Sequence, residues 1–194
     1  MKTRDSGMPE EAYWSSFFDP DAILCTLGLD KAKGTVVDVG CGYGTFTLPA
    51  AKLTPQRVIA LDVEPLLIER LTSRALAANL QHLIEARHQD VAAHGLGLPD
   101  QRADIVLLFN VLHCEDPAEL LREAFRVLAE GGRVGVIHWR SDIATPRGPD
   151  ALIRPKPEGC RRWLLEAGFE VGQQSVTLPP YHFGLVGIRP PRTP

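Results

Sequence analysis

Hydrophobic residues of the chain fall into short apolar runs, and longer segments with one apolar face lie between these runs. An uninterrupted run such as IVLLF at 105–109 is typical of a strand that is covered on both faces. The pattern predicts five strands, at 35–39, 57–62, 83–90, 103–110 and 132–139.

Helices are predicted between these strands, at 46–53, 64–80 and 115–132, and again around 160–168. The helix over 115–132 has the clearest end signals. Asp116 is the predicted N-cap, Pro117 occupies the first helical position, and Glu119 is placed to complete a capping box. Gly131 is predicted to end this helix in a left-handed conformation.

Strands that alternate with helices predict a doubly wound α/β fold, with an open, mostly parallel sheet and helices on both faces. Two further strands are predicted at 169–176 and 182–188, which gives a seven-stranded sheet. The segment TLPPY that joins them is too short for a crossover helix, so the last strand is expected to be antiparallel. The length of 194 residues fits a single domain, 1–194.

Composition narrows the classes of function. The formal net charge is −3 and the isoelectric point is about 6.1, which argues against a nucleic acid as the main partner. The four cysteines form no CxxC pair, so neither a zinc site nor a disulfide framework is predicted. The chain contains no apolar run that would suit a signal peptide or a membrane span, and a cytoplasmic protein is expected. The oligomeric state is not encoded in any pattern of the sequence.

The segment VVDVGCGYG at 36–44 carries the clearest chemical signal. Gly40, Gly42 and Gly44 follow the first predicted strand, and a backbone without side chains can approach a ligand closely. Ligands of such sheets bind at the carboxyl ends of the strands. Asp62 ends the second strand, where it can accept hydrogen bonds from a ribose diol, and Asp90 ends the third, where it can accept from the amine of a base. Without a ligand, the glycines would form only a tight turn.

Other glycine-rich nucleotide sites fit this segment less well. The dinucleotide fingerprint G-x-G-x-x-G/A would put a small residue where this chain has Thr45. A nicotinamide-dependent oxidoreductase therefore remains the weaker alternative. A Walker loop is excluded, because no G-K-[ST] follows the glycines.

Four segments together make the chain resemble the class I S-adenosylmethionine (SAM)-dependent methyltransferases over essentially its whole length. VVDVGCGYG is similar to the first motif of that family, and VIALDVEP is similar to its acidic second strand. QDVAAHGLGLPDQRADIVLLFNVLHCEDP resembles the adenine-side loop and the fourth strand, and LREAFRVLAEGGRVGVIHW resembles the fifth-strand region with its double glycine. The resemblance implies SAM as the cofactor and S-adenosylhomocysteine (SAH) as the product.

The resemblance also implies a role for each matching residue of the cofactor site. Asp38 is expected to hold the methionine ammonium group of SAM, directly or through water. Asp62 is expected to hold the ribose hydroxyls and Asp90 the adenine amine. The other residues implied to line this site are Gly40, Cys41, Gly42, Gly44, Val63, Val91 and Asn110.

Methyl transfer requires mainly that the reactants are oriented and that water is excluded, and a base is needed only where the acceptor must lose a proton. His113, just past the fourth strand, and His138, at the end of the fifth, are the candidate catalytic bases. The alternative for each is a histidine that is simply hydrogen-bonded at the rim of the sheet. Residues 1–30 resemble the helical segment that covers the cofactor in this family, and Tyr13 on it is a candidate acceptor contact.

The acceptor is expected to be a small molecule. Methyltransferases that act on base or amide nitrogens often carry an Asn/Asp-Pro-Pro-aromatic motif where this chain has NVLH at 110–113. Substrate pockets of the family are built by the loop that corresponds to 141–159, and its Arg147 and Arg154 are candidates to bind a carboxylate or phosphate of the acceptor. The alternatives are a solvated basic loop and, for the whole protein, a SAM-binding sensor or partner module without catalysis.

Overall fold

The structure is a computed structural model that describes residues 8–54 and 56–191. Its strands are β1 (Thr35–Val39), β2 (Val58–Asp62), β3 (Ile84–His88), β4 (Ala103–Phe109), β5 (Leu128–Trp139), β6 (Glu170–Val171), β7 (Val176–Leu178) and β8 (His182–Ile188). Its helices are α1 (Glu11–Ser15), α2 (Pro20–Thr26), α3 (Thr47–Leu53), α4 (Pro65–Ala77), α5 (Val91–His94), α6 (Pro117–Val127) and α7 (Pro157–Glu166), with a 3-10 helix at Ala151–Ile153. None of the helices in these two ranges is both long and apolar enough to span a membrane.

All eight strands belong to one sheet in the order β3-β2-β1-β4-β5-β8-β6, and β7 also pairs with β8. Strands β1 to β5 are parallel, whereas β8 runs antiparallel to β5. The predicted fold class, with its antiparallel last strand, is confirmed. The strand order reverses between β1 and β4, so the carboxyl ends of these strands open the crevice in which ligands of such sheets bind.

The predicted number of seven strands is wrong, because the segment 169–176 forms two short strands instead of one. Residues 172–177 are exposed and have no apolar face to bury. β6 pairs with one end of β8 and β7 with its other end, along the edge of β8 that is not used by β5.

The predicted end of the helix over 115–132 is also wrong. α6 ends at Val127, because Leu128 is fully buried as the first residue of β5. The guanidinium group of Arg189 donates hydrogen bonds to carbonyls between positions 125 and 128, and so satisfies acceptors that the end of a helix leaves open. Gly131 has the expected left-handed conformation, with φ 77°, but it lies within β5.

The start of α6 agrees with the prediction. Oδ1 of Asp116 accepts a hydrogen bond from the backbone N–H of Glu119 at 2.8 Å. The carboxylate of Glu119 instead binds Arg122 and does not close the capping box. This N-cap fixes the helix directly after the loop that follows β4, and that loop contributes to the site described below.

The sheet is covered on both faces, and its strands send alternate side chains to the two layers. On one face, Val37 and Val106 pack with residues of α6 and α7. On the other face, Val36 and Ile105 pack with residues of α2 and α3. Every residue of β2 is buried. The carboxyl ends of the central strands are therefore held in place by the core rather than by the loops.

Candidate active site

A cavity of about 500 Å³ opens at the carboxyl ends of the parallel strands. It is lined by the glycine loop after β1, by residues at the ends of the next strands, and by the loop around 147–153. The predicted site residues that line it are Gly40, Gly42, Asp62, Val63, Asp90, Val91, Asn110, His113 and Arg147. Those that do not line it are Tyr13, Asp38, Cys41, Gly44, His138 and Arg154.

The glycine loop reaches the cavity through Gly40 and Gly42. Gly40 has φ +71°, and a Cβ added there would lie 2.7 Å from Cγ1 of Val111. Gly42 has φ +53°, and a Cβ added there would lie 3.0 Å from a methionine of the N-terminal segment. Gly44 differs, because an added Cβ would overlap the side chain of Leu71. Gly44 therefore allows α4 to pack closely, whereas the other two glycines keep the cavity open.

Asp62 ends β2 with its carboxylate bonded to the backbone on both sides. One oxygen accepts from the N–H of Gly42 at 2.8 Å, and the other accepts from the N–H of Glu64 at 3.0 Å. Burial raises the pKa of Asp62, and the two backbone hydrogen bonds oppose that rise. Each carboxylate oxygen has a second lone pair, so this fixed group can still accept from two further donors such as the hydroxyls of a ribose.

The segment after β3 supplies Gln89, Asp90 and Val91 to the cavity. Oδ1 of Asp90 caps α5 by accepting from two N–H groups of its first turn, each at 3.1 Å. Gln89 was not predicted, and its amide donates to the carbonyl of Gly95 at 3.0 Å. Its place directly before Asp90, at the end of a strand, is the signal that would have included it.

Asp38 is buried in β1, just before the glycine loop, and accepts a hydrogen bond from the hydroxyl of Thr47 at 2.6 Å. Burial raises the pKa of Asp38 to about 6, while the Thr47 hydrogen bond opposes the rise and the charge of Asp62 adds to it. Burial and the same two carboxylates also raise the pKa of the Cys41 thiol. The hydrogen-bond donors to Asp38 and Asp62 are all neutral groups, so the negative charge of these carboxylates is not compensated by them. This arrangement suits a ligand with positive charge, such as SAM with its ammonium and sulfonium groups.

Asn110 follows β4 with φ 59°, a left-handed conformation that is uncommon for a residue with a side chain. Its Oδ1 is buried and has no hydrogen-bond partner among the described residues. A buried acceptor in the wall of a cavity is satisfied when a ligand donates to it. Asn110 therefore supports the assignment of this cavity as a ligand site.

His113 and His138 lie side by side at the ends of β4 and β5. Nδ1 of His113 is 3.3 Å from Nε2 of His138. Burial lowers the pKa of His113. The pKa of His138 is lowered to about 3, mainly by burial and secondly by repulsion from the charge that His113 carries when it is protonated. Both rings are therefore neutral at pH 7. His138 is fully buried, so of the two only His113 can touch a ligand.

An aromatic wall that the sequence did not predict lines the other half of the cavity, with the rings of Trp14, Phe109 and Trp139. Tyr13, the predicted contact, is 45% exposed and packs against Phe17. The neighbouring Trp14 lines the cavity instead, with its ring centroid 6.3 Å from that of Trp139. Adjacent residues of a helix point in different directions, and a helix of five residues is too short for its apolar face to be read from a pattern.

The loop between β5 and α7 places its two predicted arginines differently. Arg147 lines the cavity together with Pro149. The guanidinium group of Arg154 donates to the backbone carbonyls of Pro149 at 2.7 Å, Arg140 at 2.9 Å and Arg147 at 3.2 Å. Arg154 thus holds the loop against the end of β5 and does not reach the cavity.

The N-terminal segment covers the glycine-loop side of the cavity. Met8 and Pro9 line it, and the hydroxyl of Tyr43 donates to the carbonyl of Pro9 at 2.9 Å. A salt bridge of 3.0 Å between Arg74 and Glu11 fastens the segment to α4. Of the cover predicted at 1–30, residues 1–7 lie outside the described residues.

Comparisons with known proteins identify the family of the chain. Residues 37–136 match the family described as "Methyltransferase domain". The chain is 26% identical over 160 residues to the ribosomal protein L11 methyltransferase of Geobacillus thermodenitrificans strain NG80-2, and 31% identical over 172 residues to a probable S-adenosylmethionine-dependent methyltransferase of Mycolicibacterium smegmatis. These alignments cover 81% and 85% of this chain but only 45% and 62% of the two relatives, so the chain spans roughly half of their length.

The fold is also similar to a solved structure, a SAM-dependent methyltransferase from Aquifex aeolicus. The TM-score is 0.81 at 24% sequence identity, over 93% of this chain and 94% of the other. At this level of identity the similarity shows the fold.

Proposed function

The chain belongs to the class I SAM-dependent methyltransferases that carry this methyltransferase domain, and from that membership we propose that it methylates a small-molecule acceptor. When bound, SAM supplies an electrophilic methyl group on a sulfonium. The chain's own residues bind the cofactor, orient the acceptor against it and exclude water.

The observation that carries this proposal is the combination of a bare glycine backbone with carboxylates at or near strand ends, of which Asp38 and Asp62 are buried and Asp90 is half-buried. Gly40 and Gly42 leave room for the cofactor beside the backbone. We assign Asp62 to the ribose hydroxyls and Asp90 to the adenine amine, because both line the cavity at the ends of neighbouring strands. We assign Asp38 to the methionine ammonium group, whose charge would compensate a carboxylate that burial makes hard to ionise.

The other half of the cavity supports an acceptor that is small, largely apolar and anionic at one end. The rings of Trp14, Phe109 and Trp139 supply flat apolar surface, and Arg147 supplies positive charge. A guanidinium group pairs well with a carboxylate or a phosphate. The volume of about 500 Å³ is in the range of small-molecule sites.

A protein acceptor is the alternative that one relative raises, since that relative is named for ribosomal protein L11. The alignment leaves more than half of that relative unmatched. The cavity of this chain is also covered by Met8 and Pro9 on one side and by the loop around Arg147 on the other. A cavity covered on both sides favours a small acceptor.

Calorimetric titration of the protein with SAH and, separately, with NAD tests the cofactor. We expect SAH to bind and NAD not to bind; the reverse result would contradict SAM as the cofactor and favour the nicotinamide-dependent alternative. Release of SAH from SAM is then measured with a panel of small aromatic carboxylates and phosphates. Tight SAH binding without turnover on any acceptor would instead favour a SAM-binding sensor.

A further inference from the structure

One ionisable side chain in the cavity lining, His113, has a ring nitrogen that no described residue binds. Its Nδ1 pairs with a second histidine, and its Nε2 has no hydrogen-bond partner there. The acidic side chains of the lining are bonded to the backbone: both oxygens of Asp62 accept from N–H groups, and so does one oxygen each of Asp90 and Asp150. Burial raises the pKa of the Cys114 thiol and keeps it protonated. His113 is therefore the lining group best placed to take up a proton.

The second histidine, His138, determines which nitrogen of His113 carries the proton. Because both rings are neutral, one N–H lies between Nδ1 of His113 and Nε2 of His138. Nε2 is the nitrogen of His138 that meets His113, and Nδ1 of His138 has no hydrogen-bond partner among the described residues. A proton on Nδ1 of His138 makes its Nε2 an acceptor. His113 then donates from Nδ1 and presents an unprotonated Nε2 to the cavity.

We propose that Nε2 of His113 is the general base, that His138 is a positioning residue which holds the base in this tautomer, and that the acceptor is a hydroxyl compound. This inference rests on the proposed function. The acceptor oxygen forms a bond to the methyl carbon while the bond between that carbon and the sulfonium sulfur breaks. The electron pair of the broken bond stays on sulfur. The hydroxyl proton moves to Nε2 of His113, which returns it to solvent when the products leave.

A hydroxyl group is the acceptor that needs such a base. A neutral amine attacks through its own lone pair, and a thiol ionises near neutral pH, with an ordinary pKa of about 8.5. A phenolic hydroxyl has a pKa of about 10 and stays protonated at neutral pH. Proton transfer to a positioned base in the transition state contributes roughly 100-fold to 10,000-fold in rate.

The tautomer of His113 is measured by long-range nitrogen NMR of the full protein, labelled at its histidines and saturated with SAH. We expect a protonated Nδ1 and an unprotonated Nε2 on His113. The opposite tautomer would overturn the proposal, whatever acceptor the enzyme uses.

Two variants test whether His138 determines the tautomer of His113. His138→Gln keeps an acceptor for the Nδ1–H of His113 and is expected to keep the tautomer, whereas His138→Leu removes that acceptor and is expected to shift the proton towards Nε2. SAH affinity within about twofold of the wild type, a change of about 0.4 kcal/mol, shows that both variants keep the cofactor site. If His138→Leu has this affinity and an unchanged His113 tautomer, His138 is not a positioning residue.

The acceptor class is tested with 4-hydroxybenzoate, 4-aminobenzoate and 4-mercaptobenzoate, which share a ring and a carboxylate and differ in the attacking atom. We expect methyl transfer to be fastest to the hydroxyl compound and to fall by about 100-fold or more in His113→Ala, with SAH affinity unchanged. Faster transfer to the amine or the thiol would overturn the acceptor class. A wild-type protein that fails to bind SAH would instead contradict the proposed function, and this separates the two failures.

Discussion

The two halves of the cavity are built in different ways. In the half proposed for the cofactor, the carboxylates that line the cavity follow strands and are bonded to backbone: Asp62, at the end of the buried strand β2, to the glycine loop, and Asp90, after the half-buried strand β3, to α5. In the acceptor half, Trp14 comes from the N-terminal helix, Trp139 from the end of β5, and Arg147 from a loop that Arg154 holds in place. Backbone hydrogen bonds fix the first half, whereas side-chain packing between distant segments assembles the second.

Because the two halves are built differently, substitutions in them are expected to have different effects. We expect substitutions in the proposed cofactor half to weaken SAH binding, because the backbone around these residues is fixed. Residues of the acceptor half can vary while the sheet and the cofactor half remain intact. The following substitutions test whether the two halves are as independent as their construction implies.

The largest effect is expected for Gly42→Val. The new side chain would point towards the cover, where even a Cβ lies 3.0 Å from Met8, and φ +53° strains any residue with a side chain. We expect SAH affinity, measured by calorimetry, to fall by more than about 100-fold, which is about 2.7 kcal/mol. Gly131→Val is the matched control, because Gly131 has φ +77° with no atom within 4 Å of an added Cβ.

The control is expected to lose stability through backbone strain and to bind SAH as the wild type does. Normal SAH binding by Gly42→Val would reduce the glycine loop to a simple turn.

A smaller loss is expected for Asp62→Ala. The substitution removes the acceptor proposed for the ribose hydroxyls and leaves the N–H groups of Gly42 and Glu64 without their partner. Charge-assisted hydrogen bonds are worth roughly 1.5–3 kcal/mol each, so SAH affinity should fall at least about tenfold. Asp104→Ala is the control, since Asp104 binds the backbone of Lys33 and does not line the cavity. Equal SAH affinities of the two variants would remove the ribose assignment.

Asp38→Asn is expected to have opposite effects on stability and on binding. The pKa of Asp38 rises from 3.8 to about 6 on folding, so between these values the folded protein holds more protons than the unfolded chain. The free energy of unfolding therefore falls as pH rises through this window, and the cost of up to about 3 kcal/mol is fully present above pH 6. Asn carries no such cost.

At pH 7 the ligand-free Asp38→Asn variant should thus be more stable to urea than the wild type, and this advantage should vanish near pH 4. Its SAH affinity at pH 7 should nevertheless fall about tenfold, because an amide pairs less well with an ammonium group than a carboxylate does. A variant that is stabilised but binds SAH normally would separate Asp38 from the ammonium group.

The smallest effect on the cofactor is expected in the acceptor half. Arg147→Ala and Arg154→Ala should each keep SAH affinity within about twofold, a change of about 0.4 kcal/mol. With an acceptor in hand, Arg147→Ala should raise KM with kcat nearly unchanged. Arg154→Ala should lower kcat as well, because three backbone carbonyls of the loop lose their donor. Loss of SAH binding in either variant would show that the halves are coupled.

The parts of the molecule that local pattern determines could be predicted from the sequence. Apolar runs predict β1, β2, β4 and residues 132–139 of β5, and Asp62 lies where such a run ends. Asp90 follows the more polar strand β3. The errors arise where distant segments decide. α6 ends early because Leu128 joins the sheet and Arg189, 61 positions further on, binds its carbonyl.

The acceptor half shows the same limit. Trp14 rather than Tyr13 lines the cavity, and Arg154 binds loop carbonyls rather than the cavity, because the packing of the N-terminal helix and the loop against Trp139 sets both outcomes. No spacing in the sequence carries that information. The sequence indicated His113 and His138 as two separate candidates at neighbouring strand ends, but it did not indicate that their rings are in contact.

The position of β8 has a consequence for how the protein is made. β8 follows the other described strands in the chain, yet it lies inside the sheet, between β5 and the short strands β6 and β7. During synthesis, β6 and β7 leave the ribosome before their partner exists, and one edge of β5 stays open until β8 docks. Open strand edges are where unfinished chains associate. A chain that stops before residue 182 is therefore expected to aggregate rather than to persist as a shortened monomer.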